Sequence, residues 1–169
     1  HENIVYLGDS LSLNDGPDMS AFSKEVYNYA NSLPNVSLHA VIACGFNAYD
    51  WTLPAGSTQC GYLKKKSTGE KSYSVSARVP GITSIIEEFK PTMFVFQGGT
   101  NSYAFVKNTS NPMSNPDVVG PLKEIKKRML GSDPTPRKCL WITPPYTSSK
   151  GLAAQEALAA IIEKVAEPE

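Results

Sequence analysis

Histidine is scarce in this sequence: there are only two, His1 and His39. Cysteine is nearly as rare, at three. A metal centre built on those residue types needs ligands at short, fixed spacings, and no such spacing occurs, so neither a metal nor a cofactor is expected. An excess of one charge is missing as well. Lysine plus arginine and aspartate plus glutamate stand at sixteen each, for a formal net charge of zero. Nucleic-acid binding rests on surplus positive charge, so no nucleic-acid partner is expected. No apolar run approaches the ~18–20 residues of a membrane span. The opening His1-Glu2-Asn3 runs directly into an apolar strand, with no leader peptide visible. A mature form that has lost its leader reads the same way.

What is present suits a globular fold. Hydrophobic residues make up 41% of the 169 residues and charged ones 19%, enough for one domain, 1–169, with its own core. Cys44 and Cys60 each precede a glycine in a loop-like stretch, whereas Cys139 lies in the apolar run from Lys138 to Thr143. The first two are expected to pair and the third to be a buried thiol. The alternative is three separate thiols in a reducing compartment. A bridge would close a loop of about fifteen residues, worth roughly 3 kcal/mol in the chain-entropy description.

Short apolar runs alternate with longer amphipathic ones. Asn3–Leu7, Val36–Ala43, Met93–Phe96 and Lys138–Thr143 read as strands. Helices are expected over Ser20–Leu33, with Ser20 as N-cap and Phe22, Val26 and Tyr29 on one face, and over Gly81–Lys90 with Ile82, Ile85, Ile86 and Phe89 buried. Two more are expected over about Asp117–Leu130 and Gly151–Val165. Residues 44–80 read as irregular, with Lys64-Lys65-Lys66 at a hairpin tip. Strands apolar on both faces and separated by helices predict an α/β fold, a parallel sheet covered by helices on each side in three α/β/α layers. Four strands fall one short of a comfortable flavodoxin-like sheet, so the last strand is expected to be missing from this chain.

In such sheets ligands bind at the carboxyl ends of the strands. There the sequence places Gly8-Asp9-Ser10, Cys44-Gly45-Phe46-Asn47 and Gly98-Gly99-Thr100-Asn101. A hydroxyl, a glycine amide and a carboxamide thus leave one edge of the sheet. That trio suits acyl transfer, with a nucleophile beside two donors for a developing oxyanion. Taken singly, each element also reads as an ordinary turn or cap.

The stretch Ile4-Val-Tyr-Leu-Gly-Asp-Ser-Leu-Ser12 resembles the first block of the GDSL/SGNH hydrolases. Gln97-Gly-Gly-Thr-Asn101 resembles their glycine-x-asparagine block, with Ser102 where an aspartate is commoner, and Trp141-Ile-Thr-Pro-Pro145 is similar to the segment after the next strand. Ala43-Cys-Gly45 with Thr58-Gln-Cys-Gly-Tyr62 is similar to exported bacterial members that carry two such cysteines. The resemblance implies an SGNH hydrolase fold and a secreted or periplasmic serine esterase. Ser10 would be its nucleophile, and the Ser10 amide, the Gly45 amide and the Asn101 side chain its oxyanion hole. Asn47, Trp51, Thr100 and Pro144 are candidate substrate-binding residues. Tyr49, Trp51 and Tyr62 would form a sugar-stacking wall, or else fill a minor core under the Cys44–Cys60 loop. Asp9 is expected to order the turn.

The family's closing Asp-x-x-His block has no counterpart after Thr143. A serine hydroxyl needs a base within hydrogen-bond reach. His1 lies before the first strand, and His39 lies some five residues short of its strand's carboxyl end, roughly 16 Å by strand rise. A cleaved protein whose C-terminal fragment carries the aspartate and histidine, a truncation, and a natural pseudoenzyme are the three explanations. The expected activity is hydrolysis of small acyl esters, acetyl groups on a polysaccharide or cell-wall glycan above all, with an acylated carbohydrate as substrate. The alternative is a glycan-binding module that holds such a ligand without cleaving it. A nucleotide-binding domain of similar topology is disfavoured, because Gly8-Asp9-Ser10-Leu11-Ser12 lacks a phosphate-cradling glycine run.

Overall fold

The computed structural model describes residues 1–14, 16–58, 60–98, 116–132, 135–143 and 152–167. Strand β1, Glu2–Gly8, leads into a single 3-10 turn, Ser10–Ser12, and helix α1, Ala21–Ser32. Next come β2, Val36–Ala43, and the short helix α2, Ala48–Thr52. Four short strands follow: β3, Ala55–Ser57; β4, Tyr62–Lys65; β5, Lys71–Ser74; and β6, Arg78–Pro80. The chain continues with α3, Ile82–Phe89; β7, Met93–Gln97; α4, Pro116–Leu130; β8, Lys138–Ile142; and α5, Leu152–Ala166.

The central sheet has the order β5-β4-β2-β1-β7-β8, and β3 pairs separately with β6. The four strands β2, β1, β7 and β8 are parallel, as the alternation of strands and helices requires. Side chains alternate across the sheet. Val5 and Leu7 of β1 join Phe94 and Phe96 of β7 under α2, α3, α4 and α5, where Trp51, Ile85, Ile125 and Ile161 are buried. Ile4, Tyr6, Leu38 and Ile42 face the other way, against Met19, Tyr27 and Ala30. The fold is therefore mixed α/β, with a mostly parallel sheet and helices on both faces.

Three expectations need correction. Residues 44–80 are not irregular: β4 pairs antiparallel with β2, and β5 with β4. Among the described residues the central sheet thus has six strands rather than four. The lysines of β4 obscured this, because their stems cover apolar surface while their charges reach partners. Lys65 Nζ lies 4.4 Å over the Tyr27 ring, and Lys64 Nζ lies 2.8 Å from Glu88. Leu63, next to Lys64 on the same strand, is fully buried.

The second correction concerns α1, which is rotated from the expected face. Phe22 and Tyr29 are 56% and 69% exposed, while Ser23, Tyr27 and Ala30 are buried. The buried polar atoms are satisfied: Ser23 Oγ donates to Ser12 O at 2.8 Å, and Tyr27 Oη to Lys66 O at 2.7 Å. Asn31 fixes the rotation. Its carboxamide accepts from Leu38 N at 2.8 Å and donates to Leu38 O at 3.1 Å, docking α1 onto the stretch of β2 that β4 does not reach. Ser20 holds the N-cap position, yet its hydroxyl lies 3.0 Å from Ser23 Oγ and makes no capping bond.

The Cys44–Cys60 disulfide is present. Cys139 is a free thiol, half-buried rather than buried, because β8 ends the sheet among the described residues and Leu140 beside it is exposed.

Candidate active site

Strand register decides which groups meet. Gly8 of β1 lies opposite Ile42 of β2 on one side and Gln97 of β7 on the other. The three strands therefore end almost level. The turn after β1 stands between the Cys44-Gly45 turn and the Gln97-Gly98 end of β7. Of the expected oxyanion group, Ser10 and Gly45 share this edge. Asn101, Thr100 and Pro144 lie outside the described residues.

The Ser10 turn is held from within and from below. Asp9 is its N-cap, accepting from Leu11 N at 3.0 Å. Two backbone bonds close it, Ser12 N to Asp9 O at 3.0 Å and Leu13 N to Ser10 O at 3.1 Å. Asp9 thus orders the turn, as expected of an Asx cap. Ser10 heads the turn and is half-buried. Its hydroxyl and its amide have no hydrogen-bond partner among the described residues. A nucleophile with an unengaged hydroxyl beside an unengaged N–H is what acyl transfer requires.

Gly45 has φ +85°, a left-handed conformation that favours glycine. Its neighbourhood is clamped: the disulfide joins Cys44 to Cys60, Cys44 N donates to Gly61 O at 2.8 Å, and Thr58 Oγ1 donates to Cys44 O at 2.9 Å. Asn47 is the N-cap of α2 in a capping box with Asp50, so its side-chain oxygen is already used, accepting from Asp50 N at 3.2 Å. With Tyr49, Pro116, Val118 and Pro121 it also borders a groove of about 420 Å³ between α2 and the start of α4.

The aromatic wall divides. Trp51 is 1% exposed and packs edge-on against Phe46 at 4.8 Å, so it belongs to the core and cannot stack on a sugar. Tyr62 is half-buried, and burial pushes its hydroxyl up to about 12. Tyr49 is 54% exposed and open to a ligand. A second groove, about 750 Å³, lies along α4 and the end of α5 and is lined by Lys123, Lys126, Lys127 and Lys164. None of these four residues lies on the edge that carries Ser10.

Neither histidine reaches Ser10. His1 Nε2 lies 3.0 Å from Ser37 Oγ, at the amino end of the sheet. His39 pairs with Val5, three rows back from Gly8. Both of its nitrogens are engaged: Ser67 N donates to Nδ1 at 3.1 Å, so Nε2 carries the proton and donates to Asn3 Oδ1 at 3.0 Å. Burial holds its pKa below the usual value.

The structure adds three residues that the motif reading passed over. Tyr6 Oη lies 2.7 Å from Ser12 Oγ, which lies 2.7 Å from Gln97 Oε1, and Asp9 N donates to the same oxygen at 3.2 Å. All four residues are buried. Burial, reinforced by the Asp9 charge, pushes the Tyr6 hydroxyl up to about 12. The signal was in the sequence: a glutamine closing the apolar run Met93-Phe-Val-Phe96 must find partners if that strand is buried. Comparison with family models, with curated proteins and with solved structures found no match to this chain.

Proposed function

We propose that this chain is a serine ester hydrolase of flavodoxin-like, SGNH-type architecture, acting on small acyl esters through an acyl-enzyme on Ser10. The observation that carries the reading is the Ser10 turn itself. It is a 3-10 turn at the carboxyl end of a central strand, with hydroxyl and amide unengaged among the described residues, on the same sheet edge as the left-handed Gly45. In this reading Ser10 Oγ attacks the ester carbonyl, and the developing oxyanion is met by the Ser10 and Gly45 amides and the Asn101 carboxamide. The acyl–oxygen bond then breaks, the alcohol leaves with a proton, and water hydrolyses the acyl-enzyme.

Acetyl groups on a polysaccharide or cell-wall glycan are the proposed substrate, with Tyr49 beside the groove at Asn47 as the surface for the sugar. The disulfide supports an oxidising compartment, secreted or periplasmic. Among the described residues no helix is long and apolar enough to cross a membrane. With His1 and His39 both committed elsewhere, neither histidine of this sequence serves as the general base in this reading. The second reading, a binding module that holds the acylated glycan without cleaving it, is favoured by that same commitment of the two histidines. Acetate release from an acetylated glycan, with and without Ser10, separates the two. Release that depends on Ser10 supports the hydrolase, and binding without release supports the module.

A further inference from the structure

The hydrogen-bond chain beneath the Ser10 turn has a direction that chemistry fixes. The Asp9 backbone N–H can only donate, so the Gln97 atom that receives it at 3.2 Å is the carboxamide oxygen, and the side chain cannot be flipped end for end. That oxygen has no proton, so Ser12 Oγ, 2.7 Å away, must donate to it. Ser12 has one hydroxyl proton and has now used it. The Tyr6 hydroxyl, 2.7 Å from Ser12 Oγ, is therefore the donor in that contact. The chain runs Tyr6 to Ser12 to Gln97, with Asp9 donating from the other side.

Two donors thus converge on one oxygen, and they flank Ser10 in sequence. Among the described residues, the other bonds of the turn tie it to itself, through Asp9 to Leu11 and the two backbone bonds, to its own strand through Tyr6, or to α1 through the Ser12 carbonyl, which accepts from Ser20 N and Ser23 Oγ. Gln97 supplies the tie to the neighbouring strand. It is 3% exposed, and its Nε2 has no acceptor among the described residues. The side chain is thus kept in the buried edge of the sheet for what its oxygen holds. Gln97 is also the last residue of β7, from which the chain leaves toward Asn101.

Resting on the reading of Ser10 as nucleophile, we infer that Gln97 is the positioning residue of the site. Its carboxamide oxygen locks the Asp9 amide and the Ser12 hydroxyl, and so fixes Ser10 and its N–H relative to the end of β7. A misplacement of about 1 Å at a reacting group lowers turnover by about 100-fold, and the lock acts on placement rather than on substrate affinity.

The test compares the protein as it exists with Gln97→Met, which keeps the volume and removes the acceptor. Two measurements are made: amide hydrogen exchange along 4–13, and steady-state hydrolysis of p-nitrophenyl acetate. Expected are at least about tenfold faster exchange at Asp9, Ser12 and Leu13 with the amides of 4–7 unchanged, and a kcat about 100-fold lower with KM held. Ser12→Ala, which breaks one arm of the lock and leaves Gln97 in place, gives a smaller shift in the same direction and serves if Gln97→Met does not fold. Unchanged exchange at the turn overturns the lock whatever the activity. Faster exchange with unchanged kcat overturns its role in positioning Ser10. Absence of Ser10-dependent turnover in the unsubstituted protein counts against the hydrolase reading, and the exchange arm still decides the lock.

Discussion

Gly8 and Ser12 approach so closely that a Cβ on Gly8 would lie 2.6 Å from Ser12 Oγ and 2.8 Å from Ser12 Cβ. It would also lie 2.9 Å from the Tyr6 ring. The glycine that opens the motif is thus there for space: the turn folds back over its own strand, and the Tyr6–Ser12 bond passes directly above it. Gly8→Ala should push Ser12 off Gln97 and overpack a buried site. The expected loss is about 1–3 kcal/mol, read from the urea midpoint.

His39 should leave a signature in the pH dependence of stability. Its neutral form is the one that accepts from Ser67 and donates to Asn3, and burial lowers its pKa below 6.5. A folded pKa below the unfolded one means the unfolded chain binds the proton first. Its contribution is therefore complete above about pH 6.5 and is lost as pH falls from there toward the lower folded value. Urea midpoints measured across that window should fall more steeply for the natural protein than for His39→Gln, and parallel curves would argue against it.

The Cys44–Cys60 bridge closes the loop that carries Gly45 at one end. Reduction, or the Cys44→Ala/Cys60→Ala pair, should cost roughly 3 kcal/mol on loop entropy. Burial pushes the Cys139 thiol up to about 12, so it should react slowly with a thiol reagent at neutral pH. Quantitation before and after reduction should give one slow thiol and then two further, faster ones.

Trp51 and Tyr49 are two residues apart and should behave oppositely. Trp51→Ala empties a fully buried site beside Phe46 and should cost about 3–5 kcal/mol. Tyr49→Ala removes an exposed ring and should leave the urea midpoint nearly unchanged. Any loss of glycan affinity on its removal would place the sugar in the groove at Asn47.

The sequence carried the parallel strands and their order of use because Val36–Ala43 and Met93–Phe96 are apolar on both faces, which only a covered sheet accommodates. The edge that Ser10 and Gly45 share follows from that alone. A hairpin at Lys64-Lys65-Lys66 was legible, but its pairing with β2 was not, because Lys64 and Lys65 read as solvent-facing, whereas their partners Glu88 and Tyr27 come from distant elements. The face of α1 was misjudged for a related reason. Hydrophobicity favours Phe22 and Tyr29, but Asn31 bonding Leu38 and Ser23 bonding Ser12 set the rotation, and polar pairing leaves no periodic trace. Gln97 was visible as an oddity in an apolar strand, but its partners were not, since Asp9 and Ser12 lie more than eighty residues away in sequence.

The most direct test of the central claim is hydrolysis of p-nitrophenyl acetate by the protein as prepared, beside Ser10→Ala and Asn101→Ala. Where the general base is present, the account predicts turnover that vanishes with Ser10 and falls by about 10²–10³-fold with Asn101, the typical cost of one oxyanion donor. Turnover identical in all three proteins would contradict it, and would place any ester hydrolysis away from the edge where β1 ends.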